Sequence, residues 1–83
     1  MTLIDQIRDV FLTELGIPEE EFAPTLAYGA IPEWDSASHM VIVTALEERF
    51  GIMFESDELV ELSTVARIEE ALKAKGVEDG GAA

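Results

Sequence analysis

Three stretches of this chain place apolar residues at steps of three and four, which is the spacing of one face of an α-helix. No stretch shows the strict alternation of a half-buried strand, and each apolar stretch is followed by a glycine, a frequent helix terminator. The pattern predicts helices over 2–15, over 35–50, and from a cap at Ser63 or Thr64 to about Lys75. The inner faces of these helices are predicted to be Ile4, Ile7, Phe11 and Leu15; Ile42, Leu46 and Phe50; and Val65, Ile68 and Leu72.

The remaining segments complete an all-α architecture. A shorter helix is predicted over 56–62, capped by Ser56, and Thr2 and Asp5 have the spacing of a capping box at the start of the first helix. Residues 17–34 have no regular pattern and are predicted to form a long loop that packs over the core. The apolar residues expected to anchor this loop are Ile17, Phe22, Leu26, Tyr28 and Ile31. The sequence therefore predicts a four-helix bundle with three longer helices, one short helix and a long loop between helices one and two.

Size and charge limit the functions open to the chain. Its 83 residues, 48% of them hydrophobic, suit one small domain, which we expect over 1–76, followed by a flexible tail over 77–83. It has no cysteine, so no side chain can form a disulfide, a thiolate zinc site or a thioester, and its one histidine excludes a His-rich metal site. A formal net charge of -13 repels nucleic acid and anionic membranes and attracts basic protein surfaces. No signal peptide or membrane span is recognisable, and we expect a cytoplasmic monomer.

The most informative polar residues lie where the second predicted helix begins. Asp35 can cap this helix by accepting from backbone N–H groups of the first turn, which puts the Ser36 hydroxyl near the positive end of the helix dipole. A phosphate on that hydroxyl would be favoured there. Ser38 lies two residues further along and is expected to be a surface residue, and Trp34 is expected to close the loop onto the bundle.

His39 raises an enzymatic alternative. It follows Ser36 by three residues, so the two can share a helix face, as in a Ser–His hydrolase with Asp35 nearby. The sequence shows no residue that would orient the imidazole, and so small a bundle offers little room for a substrate. The other interpretation is that His39 is a half-exposed residue beside Ser36.

Several segments together resemble the acyl carrier protein family. They are the Asp35-Ser36 pair, the run Ala-Leu-Glu-Glu-Arg-Phe-Gly-Ile over 45–52, the acidic Asp-Glu-Leu over 57–59, and Ser-Thr-Val over 63–65. The resemblance covers about residues 2–75 in the order and spacing of the elements.

The chain also departs from the common pattern of that family. Glu33 stands where members commonly have glycine, Trp34 replaces a smaller apolar residue, Ala37 replaces leucine, and Val41 replaces an acid. The Trp-Asp-Ser form followed by His and Met is more similar to carriers of specialised pathways than to the general fatty-acid carrier.

The resemblance implies a cofactor and a set of partners. Ser36 would be esterified with 4′-phosphopantetheine, taken from coenzyme A by a phosphopantetheinyl transferase, and Asp35 would contribute the helix cap and transferase recognition. The cofactor's thiol would carry an acyl, aminoacyl or small hydroxy-acid group as a thioester between enzymes of fatty acid, polyketide or related natural-product synthesis. The chain would be a stand-alone carrier and not an enzyme, and no metal site is expected.

In this carrier interpretation, one surface strip would dock on loading enzymes and on downstream synthase enzymes with basic surfaces. We call this the docking strip: Ala37, Met40, Thr44, Glu47, Glu48 and Asp57. Two alternatives stay open from the sequence, a peptidyl or aminoacyl carrier, and a cofactor-free acidic helical adaptor that uses the same face.

Overall fold

The computed structural model describes residues 2–77 and confirms the all-α fold. Its elements in chain order are α1 (Leu3–Leu15), a single 3₁₀ turn (Glu19–Glu21), α2 (Ser36–Phe50), α3 (Ser56–Leu59) and α4 (Val65–Ala74). Within 2–77, the only strand-type pairing is an isolated bridge between Ala27 and Thr64.

The core lies where α1 packs against α2 and α4. Every buried side chain among residues 2–77 is apolar. The fully buried side chains are Leu3, Ile7, Phe11, Trp34, Ile42, Leu46, Leu62, Val65, Ile68 and Leu72. The inner face predicted for the fourth helix is thus entirely buried, whereas Ile4, Leu15 and Phe50 lie half-buried at the edges of their helices.

Side chains cap the longer helices as their sequences predict. The Asp5 amide donates to Thr2 Oγ1 at 3.2 Å and the Thr2 amide donates to Asp5 Oδ2 at 3.4 Å, which completes the capping box of α1. The cap of α4 is Thr64, whose hydroxyl oxygen accepts from the Arg67 amide at 3.1 Å. α2 ends at Gly51, whose left-handed φ of 67° strains any residue with a Cβ.

The third helix is shorter than predicted and is capped by a different residue. Its cap is Glu55, whose amide donates to the Glu58 carboxylate at 2.7 Å. Ser56, the predicted cap, is the first helical residue instead. The chain leaves the α-helical pattern after α3, since the Leu62 amide donates to the carbonyl of Leu59, three residues earlier, at 3.3 Å.

Backbone hydrogen bonds fasten the long loop to the start of α4. The Tyr28 amide donates to the Ser63 carbonyl at 2.8 Å, and the Val65 amide donates to the Leu26 carbonyl at 3.0 Å. Leu26 is buried, as predicted, whereas the Tyr28 side chain is 44% exposed and touches the core only at its margin, in an edge-type contact with the buried Trp34 ring. The acidic turn of the loop is exposed, which suits its charge.

The C-terminal end of the described chain folds back on α4, because the Val77 amide donates to the Leu72 carbonyl at 3.0 Å. The rest of the predicted tail, 78–83, lies outside the described residues, so the domain boundary stays a prediction. No helix within 2–77 combines the length and the apolar character that crossing a membrane requires.

Candidate functional site

Asp35 begins the site by capping α2. Its Oδ1 accepts from the Ser38 amide at 2.9 Å and from the Ser38 hydroxyl at 3.0 Å. These hydrogen bonds, first the backbone one and then the hydroxyl one, lower the pKa of the Asp35 carboxyl from its ordinary value of 3.8. Ser38 is therefore more than the plain surface residue that the sequence predicted, because its hydroxyl completes the cap.

Ser36 is the first residue of α2 and is exposed. Among residues 2–77, no group hydrogen-bonds to its hydroxyl, whereas the Ser38 hydroxyl is engaged with Asp35. The structure thus distinguishes two serines that the sequence places two residues apart. An exposed hydroxyl beside the first-turn N–H groups of a 15-residue helix is well placed to bear a phosphodiester.

His39 is oriented by two neighbours, which corrects the expectation that nothing orients it. The Trp34 indole Nε1–H donates to His39 Nδ1 at 3.0 Å, and His39 Nε2 lies 3.4 Å from the Leu59 carbonyl oxygen. Since Nδ1 accepts, the neutral imidazole carries its proton on Nε2. No hydrogen bond joins His39 to Ser36 in the described part of the chain, so the Ser–His hydrolase alternative lacks its nucleophile–base contact.

The sequence did contain a signal for this arrangement. Trp34 precedes the Asp35 cap and His39 is the fourth residue of α2, which are the two positions of a hydrophobic staple. Trp34 is fully buried, as its role in closing the loop predicts, and its ring lies edge-on to Phe11 with centroids 4.9 Å apart. The staple spacing brings the imidazole onto the indole and so explains the contact.

A groove of about 330 Å³ opens beside Ser36, between the start of α2 and the end of α3. Its apolar lining comes from Leu59, Val60 and Leu62. Its polar lining consists of Ser36 itself together with Tyr28, His39 and Ser63. The sequence does not predict this groove, because Tyr28 and the end of α3 come together beside Ser36 only in the folded chain.

The docking strip is only partly a free surface. Ala37, Met40, Thr44, Glu48 and Asp57 are exposed, and Met40 is 49% exposed. Glu47 is half-buried, because its Oε2 accepts from the Phe54 amide at 2.9 Å and thereby fixes the turn after α2.

Three residues outside the predicted strip, Glu14, Val41 and Ala45, share its surface. Val41 of α2 and Glu14 of α1 line the same shallow groove of about 340 Å³ as Met40, Thr44 and Glu48. Val41 is 46% exposed, so this groove has an apolar centre between acidic residues. Glu14 was not predicted because the packing of α1 on α2 is not visible in the sequence.

The fold and the site together define a small helical protein that presents an exposed serine hydroxyl at the start of its longest helix, α2. A family model described as the phosphopantetheine attachment site matches residues 5–72, which is most of the chain. The chain belongs to this family and is a member of the acyl carrier proteins. It is a non-catalytic carrier, and its partners include a phosphopantetheinyl transferase and acyl-handling enzymes.

The residues present fit the cofactor of this family, 4′-phosphopantetheine. When bound, this group supplies a thiol that holds acyl groups as thioesters, and the chain has no cysteine of its own. The Asp35 carboxylate is engaged by the amide and hydroxyl of Ser38, which leaves the Ser36 hydroxyl free to bear the group.

Proposed function

We propose that Ser36 is the attachment point of 4′-phosphopantetheine. The observation that carries this proposal is the state of its hydroxyl, which is exposed at the first residue of α2 and has no hydrogen-bond partner within 2–77. The other hydroxyl in the same turn, that of Ser38, donates to Asp35 instead. In this proposal Asp35 fixes the start of the helix and is recognised by the transferase.

The proposed activity is to carry a small group between biosynthetic enzymes. The cargo is an acyl, aminoacyl or small hydroxy-acid group bound as a thioester, in fatty acid, polyketide or related natural-product synthesis. The carrier itself catalyses no reaction, and tethering the thiol to a protein that docks raises the effective concentration of the thiol in the partner's active site.

The docking strip is proposed to make those encounters. Its large exposed apolar residue, Met40, lines one groove with the acid Glu48, and the chain as a whole carries a net charge of -13. Such a surface favours partners with basic residues around an apolar contact. Exposed ion pairs contribute roughly 1 kcal/mol or less each, so the encounters are transient and weaken as salt is added.

The test of the attachment site is intact-protein mass after incubation with coenzyme A and a broad-specificity phosphopantetheinyl transferase. We expect the wild-type chain to gain one phosphopantetheine and Ser36→Ala to gain none. Ser38→Ala is the matched control, because it removes a hydroxyl from the same turn and leaves the backbone amide that donates to the Asp35 carboxylate. The proposal is wrong if Ser36→Ala is still modified, and a wild-type chain that no transferase modifies would favour the acidic adaptor.

The cargo is identified by a second mass measurement. The pantetheinylated protein is offered to a panel of adenylating enzymes and acyltransferases, each with its own acyl or amino acid. A mass gain with amino acids alone would identify an aminoacyl carrier, and a gain with acyl groups alone would identify an acyl carrier.

A further inference from the structure

The position of the Ser36 hydroxyl depends on the helical turn that bears it, because no group within 2–77 hydrogen-bonds to that hydroxyl. This turn is closed by the His39 amide, which donates to the Asp35 carbonyl at 2.8 Å. His39 follows Ser36 by three residues, so the two side chains lie on one face of α2. Side chains of a helix lean toward its N-terminus, and the imidazole therefore lies over the turn that bears Ser36.

Two other segments of the chain hold the imidazole. From the loop, the Trp34 indole donates to Nδ1 at 3.0 Å, with the planes of the two rings 27° apart. The Tyr28 ring lies at 88° to the imidazole, with centroids 5.2 Å apart. At the end of α3, the Leu59 carbonyl oxygen lies 3.4 Å from Nε2. His39 thus connects the first turn of α2 to both the loop and α3.

Trp34 is well fixed at the other end of this connection. Its side chain is fully buried, and its ring packs edge-on against Phe11 of α1. Its backbone is also bonded, since its amide donates to the Ile31 carbonyl at 3.2 Å and its carbonyl accepts from the Gly29 amide at 3.0 Å. The bond from the indole to His39 therefore ties the first turn of α2 to the core.

The same geometry argues against proton transfer by His39. The lone pair of the neutral imidazole is on Nδ1, where Trp34 occupies it, and the proton is on Nε2. When Ser36 is modified, its Oγ forms a bond to the phosphorus that bears the pantetheine arm, and the bond from that phosphorus to the adenosine bisphosphate of coenzyme A breaks. The hydroxyl proton then has to pass to a base of the transferase, because neither ring nitrogen of His39 can accept it.

We propose that His39 is a positioning residue for Ser36, which acts by fixing the first turn of α2 between the Trp34 indole and the end of α3. The proposal rests on attachment at Ser36. An attacking hydroxyl must be held close to the phosphorus and in line with the leaving group, and a misplacement of about 1 Å can lower the rate about a hundredfold. Since His39 is not part of the docking strip, its loss should lower kcat of the transfer and leave KM unchanged.

Substitutions on both sides of the bond separate the hydrogen bond from the bulk of the side chains. His39→Asn puts a carbonyl oxygen near the position of Nδ1 and so keeps an acceptor for the indole. His39→Leu fills a similar space without an acceptor, and Trp34→Phe removes the donor. Ile68→Val is the control for stability, because it shortens a fully buried side chain of α4 and leaves both partners of the bond in place.

The experiment measures kcat and KM when a broad-specificity phosphopantetheinyl transferase modifies the full chain with coenzyme A, with circular dichroism to verify that each variant is folded. In His39→Leu and in Trp34→Phe we expect kcat to fall between about tenfold and about a hundredfold. The double variant should fall no further than either single variant, since both changes break one bond. His39→Asn and Ile68→Val should keep kcat close to the wild-type value.

Two spectroscopic readouts report on the turn itself. The amide of residue 39 closes the turn, so its hydrogen exchange, relative to that of the α4 amides, should accelerate in His39→Leu and in Trp34→Phe. It should stay slow in His39→Asn. The chain has one tryptophan and so one indole N–H signal, which should move in His39→Leu and keep its position in His39→Asn.

The outcomes separate this proposal from the one on which it rests. A wild-type kcat in both His39→Leu and Trp34→Phe overturns the inference and leaves Ser36 as the attachment site. Equal falls in His39→Leu and His39→Asn, or an equal fall in Ile68→Val, would overturn it too, because side-chain shape or stability would then explain the loss. If the profile of kcat against pH loses a step in His39→Asn, His39 accepts a proton and does not position Ser36. A wild-type chain that is never modified overturns both proposals.

Discussion

The indole N–H of Trp34 donates to Nδ1 of His39 over 3.0 Å, and this bond connects the fully buried end of the loop to the first turns of α2. Trp34 has no access to water, so His39 supplies the acceptor that the indole needs. No buried side-chain nitrogen or oxygen in 2–77 lacks a partner. The start of α2 is therefore fixed from both sides, by the Asp35 cap and by this bond.

Substitution of Trp34 tests this account of the core. We expect Trp34→Ala to lower the free energy of unfolding by about 3–5 kcal/mol, a large part of the about 5–15 kcal/mol typical of a domain. Trp34→Phe should lower the free energy of unfolding by less, since it retains an aromatic ring on Phe11 and removes the indole N–H together with its need for an acceptor. Urea unfolding followed by far-ultraviolet circular dichroism measures both.

Tyr28→Phe is the control for the Trp34 variants. The Tyr28 ring also touches Trp34, with centroids 6.2 Å apart, but its side chain is 44% exposed. Removing its hydroxyl should change stability by no more than about 0.5 kcal/mol. If Trp34→Ala lowered the free energy of unfolding as little as Tyr28→Phe does, the loop would not be packed as described.

Asp35 makes α2 sensitive to acid. Its pKa is lowered in the folded protein by the Ser38 hydrogen bonds, so the ionised carboxylate stabilises the fold. That stabilisation is complete above the ordinary value of 3.8 and is lost as the pH falls through the lower folded value. We expect Asp35→Asn to retain a capping oxygen but to lose this part of the acid dependence, whereas Asp35→Ala loses stability at neutral pH as well.

The measurement for Asp35 is urea unfolding at neutral pH and at a series of values below 3.8. Parallel acid profiles for the wild-type chain and Asp35→Asn would contradict the cap-based explanation. Ser38→Ala provides a further comparison, since it removes the hydroxyl bond alone and should reduce the acid dependence only in part.

Much of the fold could be predicted from sequence because its signals are local. Helical periodicity, the Thr2 capping box and the glycines after the helices each depend on residues within one or two turns. The features that the sequence did not predict have two origins. Local bonds set the bounds of α3 and the turn after α2, where Glu55 pairs with Glu58 and the Phe54 amide donates to Glu47. The exposure of Tyr28 is set by how the long loop packs.

The residues of the candidate site also divide into those that local signals predict and those that packing brings together. Asp35 and Ser36 were predicted because a helix cap and its first residue are adjacent in the chain. The groove was not, since Tyr28, Leu59 and Ser63 reach Ser36 only when the loop and α3 have packed. The Trp34–His39 contact lies between these cases, because its staple spacing is local but its hydrogen bond needs the buried position of the indole.

The ion pair between Glu58 and Lys75 is expected to tie α3 to the end of α4 in a pH-dependent way. Lys75 Nζ lies 2.9 Å from Glu58 Oε1 and 5.5 Å from the centre of the Phe54 ring. The Glu55 amide, and after it Lys75, lowers the Glu58 pKa from its ordinary value of 4.5. The contribution of this carboxylate to folding stability is therefore present above pH 4.5. It is lost as the pH falls through the lowered pKa of Glu58 in the folded protein.

A double-mutant cycle measures that coupling. We expect Glu58→Gln and Lys75→Met each to lower stability slightly at neutral pH, and the double variant to lose less than the sum of the two. Added salt should reduce the coupling, because both side chains are partly exposed. Additive losses at low salt would mean that the two side chains act independently.

Met40 is the sharpest test of the docking strip. It is 49% exposed in α2, so Met40→Glu should leave stability within about 0.5 kcal/mol of the wild-type value. The added charge interrupts the apolar centre of the strip, and we expect the rate of Ser36 modification by a transferase to fall through a raised KM. Circular dichroism verifies the fold, and a mass-based time course measures the rate.

Met53→Glu is the matched control, since it makes the same change at a methionine that is 76% exposed and lies outside the strip, in the turn after α2. If the strip carries docking, Met53→Glu is modified at close to the wild-type rate and Met40→Glu is not. Equal slowing in both variants would show that added negative charge anywhere weakens the encounter. A loss of helical signal in Met40→Glu would instead show that this side chain supports the core, and the strip would then lose its apolar centre.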